Sequence, residues 1–173
     1  MSSIIREFTL PNLKMFRQMY DNKIANSYVK GNTTGNDYAE YFPKIADDIT
    51  EPGDIIVLDM SVKNESYTKS TSETDIVVGV HSDEYASVIG GVIINEDMSI
   101  KEAEEYNKTH FIPIALAGRV HVKFYGKAIK GKYVVPSNIP GYGIMSDSPI
   151  NSVGMIIETD DRTEFRKIKI KVK

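Results

Sequence analysis

Two carboxylates three residues apart, Asp37 and Glu40, sit in the stretch richest in reactive side chains, Gly35-Asn36-Asp37-Tyr38-Ala39-Glu40-Tyr41-Phe42. The polar run Lys30-Gly31-Asn32-Thr33-Thr34 leads directly into it. Cutting a peptide bond needs an activated nucleophile, a proton donor for the leaving amine and something to stabilise the oxyanion. The chain has no cysteine, so the nucleophile is either a water activated by a carboxylate or a hydroxyl such as that of Thr33 or Thr34. Asp37 and Glu40 have the chemistry of an acid–base pair, one ionised and the other kept protonated by burial or by its like-charged neighbour. Strand geometry works against them, because side chains alternate and residues three apart point to opposite faces. They converge only if Gly35 and Asn36 bend the chain, or if one carboxylate meets its partner on a neighbouring subunit. The alternative is a plain strand, with Tyr38, Glu40 and Phe42 on one face and Ala39 and Tyr41 on the other.

Other chemistry is sparse. The imidazoles are His81, His110 and His121. None has the i, i+4 spacing of a helical metal pair, so they read as surface or hydrogen-bonded histidines and no metal is expected. No Gly-x-Ser-x-Gly elbow supports a serine nucleophile. Gly90-Gly91 lacks the spacing of a phosphate cradle, so no cofactor is expected, and close packing or a bulge explains the pair better. Arg119 follows a tight Ala117-Gly118 step in an apolar context. A guanidinium buried there or at an interface wants a carboxylate, and Asp37 or Glu40 are the natural partners.

The elements that must carry these residues divide the chain in two. Residues 1–36 read as a short strand over residues 4–10, then an amphipathic helix near residues 12–28, then the polar connector. The helix rests on Leu13, Phe16, Met19, Tyr20 and Ile24 at three- and four-residue spacing. Such a helix must bury its stripe against the rest of the chain or against other copies. From residue 37 to 173 the pattern is of strands. Apolar runs stand at residues 55–58, 76–80, 88–94, 111–117, 120–125, 133–135 and 153–159, with turn residues between them. One short internal helix is expected over residues 99–108, where Ser99 caps and Glu102 closes a capping box. Pro140-Gly141-Tyr142-Gly143 reads as a turn. At the end, Ile168, Ile170 and Val172 alternate with Lys167, Lys169, Lys171 and Lys173, the mark of a half-buried antiparallel strand. The lysine row reads as a solvated face that also guards a sheet edge. The fold class is therefore mainly β, an antiparallel sandwich or barrel with one N-terminal helix and one short internal helix.

Size and charge narrow the function classes. A chain of 173 residues with 41% hydrophobic residues supports one domain with a real core. A net charge of −3 argues against nucleic acid as a partner, since polyanion binding draws on a basic surface. No run approaches the length and apolarity of a membrane span. The first residues lack the apolar stretch of a secretion signal, so synthesis in a cytoplasm is the expectation.

Read in order, several stretches have a family likeness. Asp37-Tyr38-Ala39-Glu40-Tyr41-Phe42 resembles the signature of the intramolecular chaperone autoprocessing domains that end phage tail appendages, the G2 peptidases. The similarity continues through Gly53-Asp54-Ile55-Ile56-Val57, Val78-Gly79-Val80-His81-Ser82 and Ala115-Leu116-Ala117-Gly118-Arg119-Val120. It ends at Gly131-Lys132-Tyr133-Val134-Val135-Pro136-Ser137 and Gly141-Tyr142-Gly143, so that roughly residues 31–145 are covered. The resemblance implies a terminal module of a tail fibre or spike that promotes homotrimer assembly and cuts itself near the motif. It points to Asp37 and Glu40 as catalytic and to a scissile bond within Asn32, Thr33, Thr34, Gly35 and Asn36. The implied partners are further copies of the chain and other tail components, and the implied destination is a virion or a phage-tail-like particle. A non-catalytic structural or receptor-binding module of the same fold is the alternative. A small-ligand-binding barrel is a third reading.

Overall fold

The computed structural model describes residues 27–28, 36–92 and 98–172. The strand expected at residues 4–10, most of the helix expected near residues 12–28 and candidate cut residues 32–35 lie outside them. At the end of that expected helix, Ser27–Tyr28 is instead a short strand, β1. It is followed by β2 (Asp37–Pro43), β3 (Ile55–Leu58), β4 (Tyr67–Lys69), β5 (Val77–His81) and β6 (Ser87–Gly90). One helix, α1 (Ile100–His110), leads straight into the long strand β7 (Phe111–Phe124). Then come β8 (Tyr133–Pro136), β9 (Gly143–Ser146), β10 (Gly154–Ile156) and β11 (Arg166–Val172).

Helix α1 starts as its sequence dictates. The Ser99 hydroxyl accepts from the Glu102 backbone N–H, and the Glu102 carboxylate accepts from the Ser99 N–H at 2.7 Å, a closed capping box. The chain turns directly from helix to strand at Phe111.

Strand β7 organises the molecule. Its first half lies between β2 and β5, and its second half pairs with β11. From there β11 pairs with β10, β10 with β8, β8 with β9, and β9 returns to β7 at the bridge between Gly143 and Phe124. Those five strands close a small barrel. On the other side of β2, β6 and β1 extend the sheet, while β3 and β4 extend it beyond β5. The sequence expectation of two separate strands at residues 111–117 and 120–125 is replaced by one bent strand. The bend is a bulge: Tyr38 faces Ala117 but Ala39 faces Ala115, leaving Leu116 as the extra residue. Gly118 completes it at φ +100°, where a Cβ would collide with the Asn36 carbonyl oxygen and the Asp37 backbone.

The pairing is not wholly antiparallel. β2 and β6 run parallel, as does the β7–β9 bridge. Strands β3, β4 and β5 intervene between β2 and β6, and so long a connection lets the chain come back in the same direction. The lysine row is also differently placed from expectation. β11 is flanked by β7 and β10, so it is no edge and the lysines guard none. Its alternation holds: Ile168, Ile170 and Val172 are buried, and Lys167 and Lys171 are exposed.

The main core fills the barrel with Val120, Val122, Phe124, Val134, Ile156, Ile168 and Ile170, and continues into Ile55, Val57 and Val80 of the adjoining sheet. A smaller cluster of Ile56, Ile112 and Ile114, with Phe42, Tyr67 and Leu116 against it, covers the opposite face. The motif strand β2 therefore runs between two packed surfaces, one on each side.

Candidate functional site

The Asp37 carboxyl is the deepest of the sequence-selected groups among the described residues. The residue is 4% exposed, and its Oδ2 has no hydrogen-bond partner. Three backbone contacts hold the strand end in place. Asn36 O accepts from Arg119 N at 2.9 Å, Asp37 O accepts from Ala86 N at 2.9 Å, and the sheet pairs Asp37 with Gly118. Burial pushes the Asp37 carboxyl above the usual carboxylate range, with the Ser82 hydroxyl drawing it partly back and the charges of Asp83 and Glu84 adding to the rise. It is a carboxyl poised to hold its proton, the state an acid needs.

Glu40 stands elsewhere. Along β2 the Asp37, Ala39 and Tyr41 side chains share one side, where Tyr41 lines a cleft with His81 and Ser82. Glu40 is on the other side, its charge felt by Tyr67, against whose ring Phe42 packs at 4.8 Å between centroids. Within one chain the structure separates the two carboxylates, as alternation on a strand requires.

Arg119 is exposed, not buried. It does reach the motif, but through Asn36: its Nη2 donates to Asn36 Oδ1 at 2.6 Å. The expected carboxylate partner is replaced by an amide oxygen next to Asp37. Of the proposed scissile residues, Asn36 alone is among those described, and it lies exposed at the mouth of the Asp37 cleft. Thr33 and Thr34 fall outside.

The cleft holds about 330 Å³ and brings together residues distant in sequence. Asn36 and Asp37 come from the start of β2, His81, Ser82, Asp83 and Glu84 from the end of β5, Arg119 and His121 from β7, and Lys167 and Lys169 from β11. A second cleft of about 270 Å³ shares His81, Ser82 and Asp83 and adds Tyr41, Lys44 and Tyr85. The tie between β5 and the turn before β3 sets the position of His81. Gly53 N donates to His81 O at 2.8 Å, and His81 N donates to Asp54 O at 2.9 Å. Ser82 N donates to Pro113 O at 2.8 Å, pinning the next residue to β7. The His81 Nδ1 is buried and has no partner. Burial lowers the imidazole from its ordinary value to about 4, against the opposing pull of Asp54 and Asp83. It is neutral at physiological pH.

His81 is the residue that sequence reasoning passed over. It stands inside one of the stretches carrying the family likeness, but nothing in its local pattern marks its Nδ1 as buried. The other two histidines fit their expectation. His110 Nδ1 lies 3.0 Å from the Tyr106 carbonyl, with its ring stacked on Tyr106, and His121 is exposed. Beside the cleft, Lys123 bridges Asp54 at 2.8 Å and Glu51 at 2.7 Å. That ion pair fastens the turn before β3 onto β7 and so supports the floor under His81. Among the described residues no group of His, Asp or Glu has the arrangement of a metal site.

No protein-family model matches the chain, and no curated protein sequence does so either. Solved structures do. The fold is similar to that of the C-terminal fragment of gene product 12 of bacteriophage phi29, with a TM-score of 0.57 at 16% identity over 79% of this chain and 100% of the fragment. It is similar also to the pre-mature form of the same phage protein, with a TM-score of 0.60 at 15% identity over 82% of this chain. The match spans 22% of that longer protein. At these identities the likeness is one of fold.

Proposed function

We propose that the protein is the terminal module of a phage or prophage tail fibre or spike, that it promotes assembly of a homotrimer, and that it cuts itself within residues 32–36. The observation that carries this reading is the fold match over the whole of a phage protein's C-terminal fragment. The ordered motif likeness from Asp37 to Gly143 supports it independently. In this reading the module is made in the cytoplasm of a bacterial host and works in a virion or a phage-tail-like particle beside other tail components. Among the described residues, no helix is long and apolar enough to cross a membrane.

Asp37 is the acid of the proposed cut, buried beside the Asn36–Arg119 contact, with burial raising its carboxyl above the usual carboxylate range. Glu40, on the opposite side of β2, joins it only from another copy across a subunit interface. The test is intact mass of purified protein followed over days. The expected result is a fragment ending within residues 32–36, and Asp37→Asn slows its appearance by about 10²- to 10⁴-fold. A chain that stays whole while forming trimers supports the second reading, a non-catalytic structural or receptor-binding module of the same fold. The separation of Asp37 from Glu40 within one chain favours that alternative.

A further inference from the structure

We propose that the outward face of the β7–β11 ribbon is a docking surface for an acidic polysaccharide, one whose carboxylates are separated by uncharged sugar rings. The inference goes beyond the assembly and self-processing readings and stands whether or not the chain cuts itself. The strand register builds the face. Arg119 lies opposite Lys171, His121 opposite Lys169 and Lys123 opposite Lys167, while Val120, Val122, Ile168 and Ile170 fill the barrel on the other side. Just past the strand ends, Tyr125 and Phe165 continue the outward alternation. Their ring centroids are 4.6 Å apart and both residues are exposed. Tyr142 packs edge-on against Phe165 at 5.1 Å. From Phe165 to Lys171 the face runs about 20 Å, a cationic row ending in an aromatic platform.

Two observations mark the row as kept for a ligand. Like charges set directly across a sheet cost stability. Yet among the described residues no carboxylate forms an ion pair with Arg119, Lys167, Lys169 or Lys171, and only Lys123 of the row is neutralised, by Asp54 and Glu51. The row also has open space on both sides. The cleft of about 330 Å³ and another of about 570 Å³, toward residues 158–162, share His121, Lys167 and Lys169. A chain can therefore cross the row from one to the other.

The flanking groups choose the partner. Asp83 and Glu84 line the first cleft, and Glu158 and Asp161 the second. They repel a chain charged at every unit, as a nucleic acid is, and accept hydrogen bonds from the hydroxyls of neutral sugars. The aromatic platform offers flat apolar area to the C–H face of a sugar ring. Arg119 presents a planar fork to a carboxylate, with donors beyond the one given to Asn36. An acidic peptide adding as a strand finds no edge. Arg119, Lys123 and Tyr125 already donate their backbone N–H groups to Asn36, Gly53 and Gly143, and β11 is paired on both sides.

Isothermal titration calorimetry tests this on the full chain with a hyaluronan octasaccharide, in which uronate and neutral sugar alternate. Wild type should bind, more weakly as salt rises. Lys169→Glu combined with Lys171→Glu should weaken binding more than about tenfold, because charge-assisted hydrogen bonds become repulsions. Phe165→Ala should weaken it by about two- to tenfold through the lost platform. Thermal melts separate lost binding from lost fold. If the double variant melts early, Lys171→Glu alone, placed opposite Arg119, carries the test. No heat with the octasaccharide, or unchanged affinity in the variants, overturns the proposal. Equal binding of uncharged chitohexaose overturns the role of the cations. Equal binding of single-stranded DNA or poly-glutamate overturns the choice of a sugar chain. Intact mass and light scattering read the cut and the trimer separately, so failure here leaves both readings standing.

Discussion

At the scale of single residues, the cleft is lined by a carboxyl that resists losing its proton and by an imidazole that resists gaining one, and each has a consequence for stability. His81 titrates near 4 when folded against 6.5 in a free chain. Between those values the unfolded chain binds a proton that the folded chain refuses, so stability falls as pH drops from 6.5 to 4. Chemical denaturation at several pH values should show that loss in wild type and a flatter profile in His81→Gln. Asp37 has the opposite sign. Its folded value is raised by burial, so the unfolded chain ionises first and stability declines as pH rises above the ordinary carboxylate value. Asp37→Asn keeps the shape and removes the charge, so its melting temperature at pH 7 should exceed that of wild type. A variant that is more stable and yet does not process would mark Asp37 as a group held for chemistry at a cost to the fold. A melting temperature below wild type would mean that the carboxylate is compensated by contacts the amide cannot make.

At the scale of elements, two contacts fix the walls of the cleft. Lys123 on β7 bridges the buried Asp54, which is 2% exposed on its side chain, and the exposed Glu51. Removing the cation with Lys123→Met leaves Asp54 charged and buried with only the Glu51 N–H at 2.7 Å as a remaining partner. Breaking a buried pair from one side typically costs about 3 to 5 kcal/mol. Because Lys123 keeps some exposure, the loss measured by denaturant unfolding should lie near the lower end. The outward face of the β7–β11 ribbon behaves differently. Arg119 faces Lys171, and Lys123 faces Lys167, like charges directly across the strands. Lys171→Glu places opposite charges on two exposed residues and should stabilise by about 0.2 to 1 kcal/mol at low salt, an effect that fades as salt is raised. The row offers no edge protection to lose, so the same variant should not aggregate. The residue pattern of β11 alone could not separate these roles, since a row of lysines looks the same on an edge strand as on one flanked by two neighbours.

At the scale of the whole molecule, the proposed role as a trimeric tail module sets the expectation for assembly. Light scattering of purified protein should give three times the 19.4 kDa chain mass at micromolar concentration. A monomer under those conditions would remove the assembly role and leave Glu40 with no route to Asp37.

Local pattern determined much of this protein by itself. The β11 alternation, the Ser99–Glu102 capping box, the strands at Ile55 and Val77 and the mainly β character depend on neighbours in sequence, where periodicity and short-range hydrogen bonds decide the conformation. The opposition of Asp37 and Glu40 followed in the same way from the twofold repeat of a strand. Tertiary structure decided the rest. Closure of β7, β11, β10, β8 and β9 into a barrel, the parallel return of β6 and the bend at Gly118 depend on pairings between distant segments. The site depends on them most. Asp37, His81, Arg119 and Lys169 lie on four different strands around one cleft, and desolvation chiefly made the first two unusual, so no spacing along the chain could bring them together.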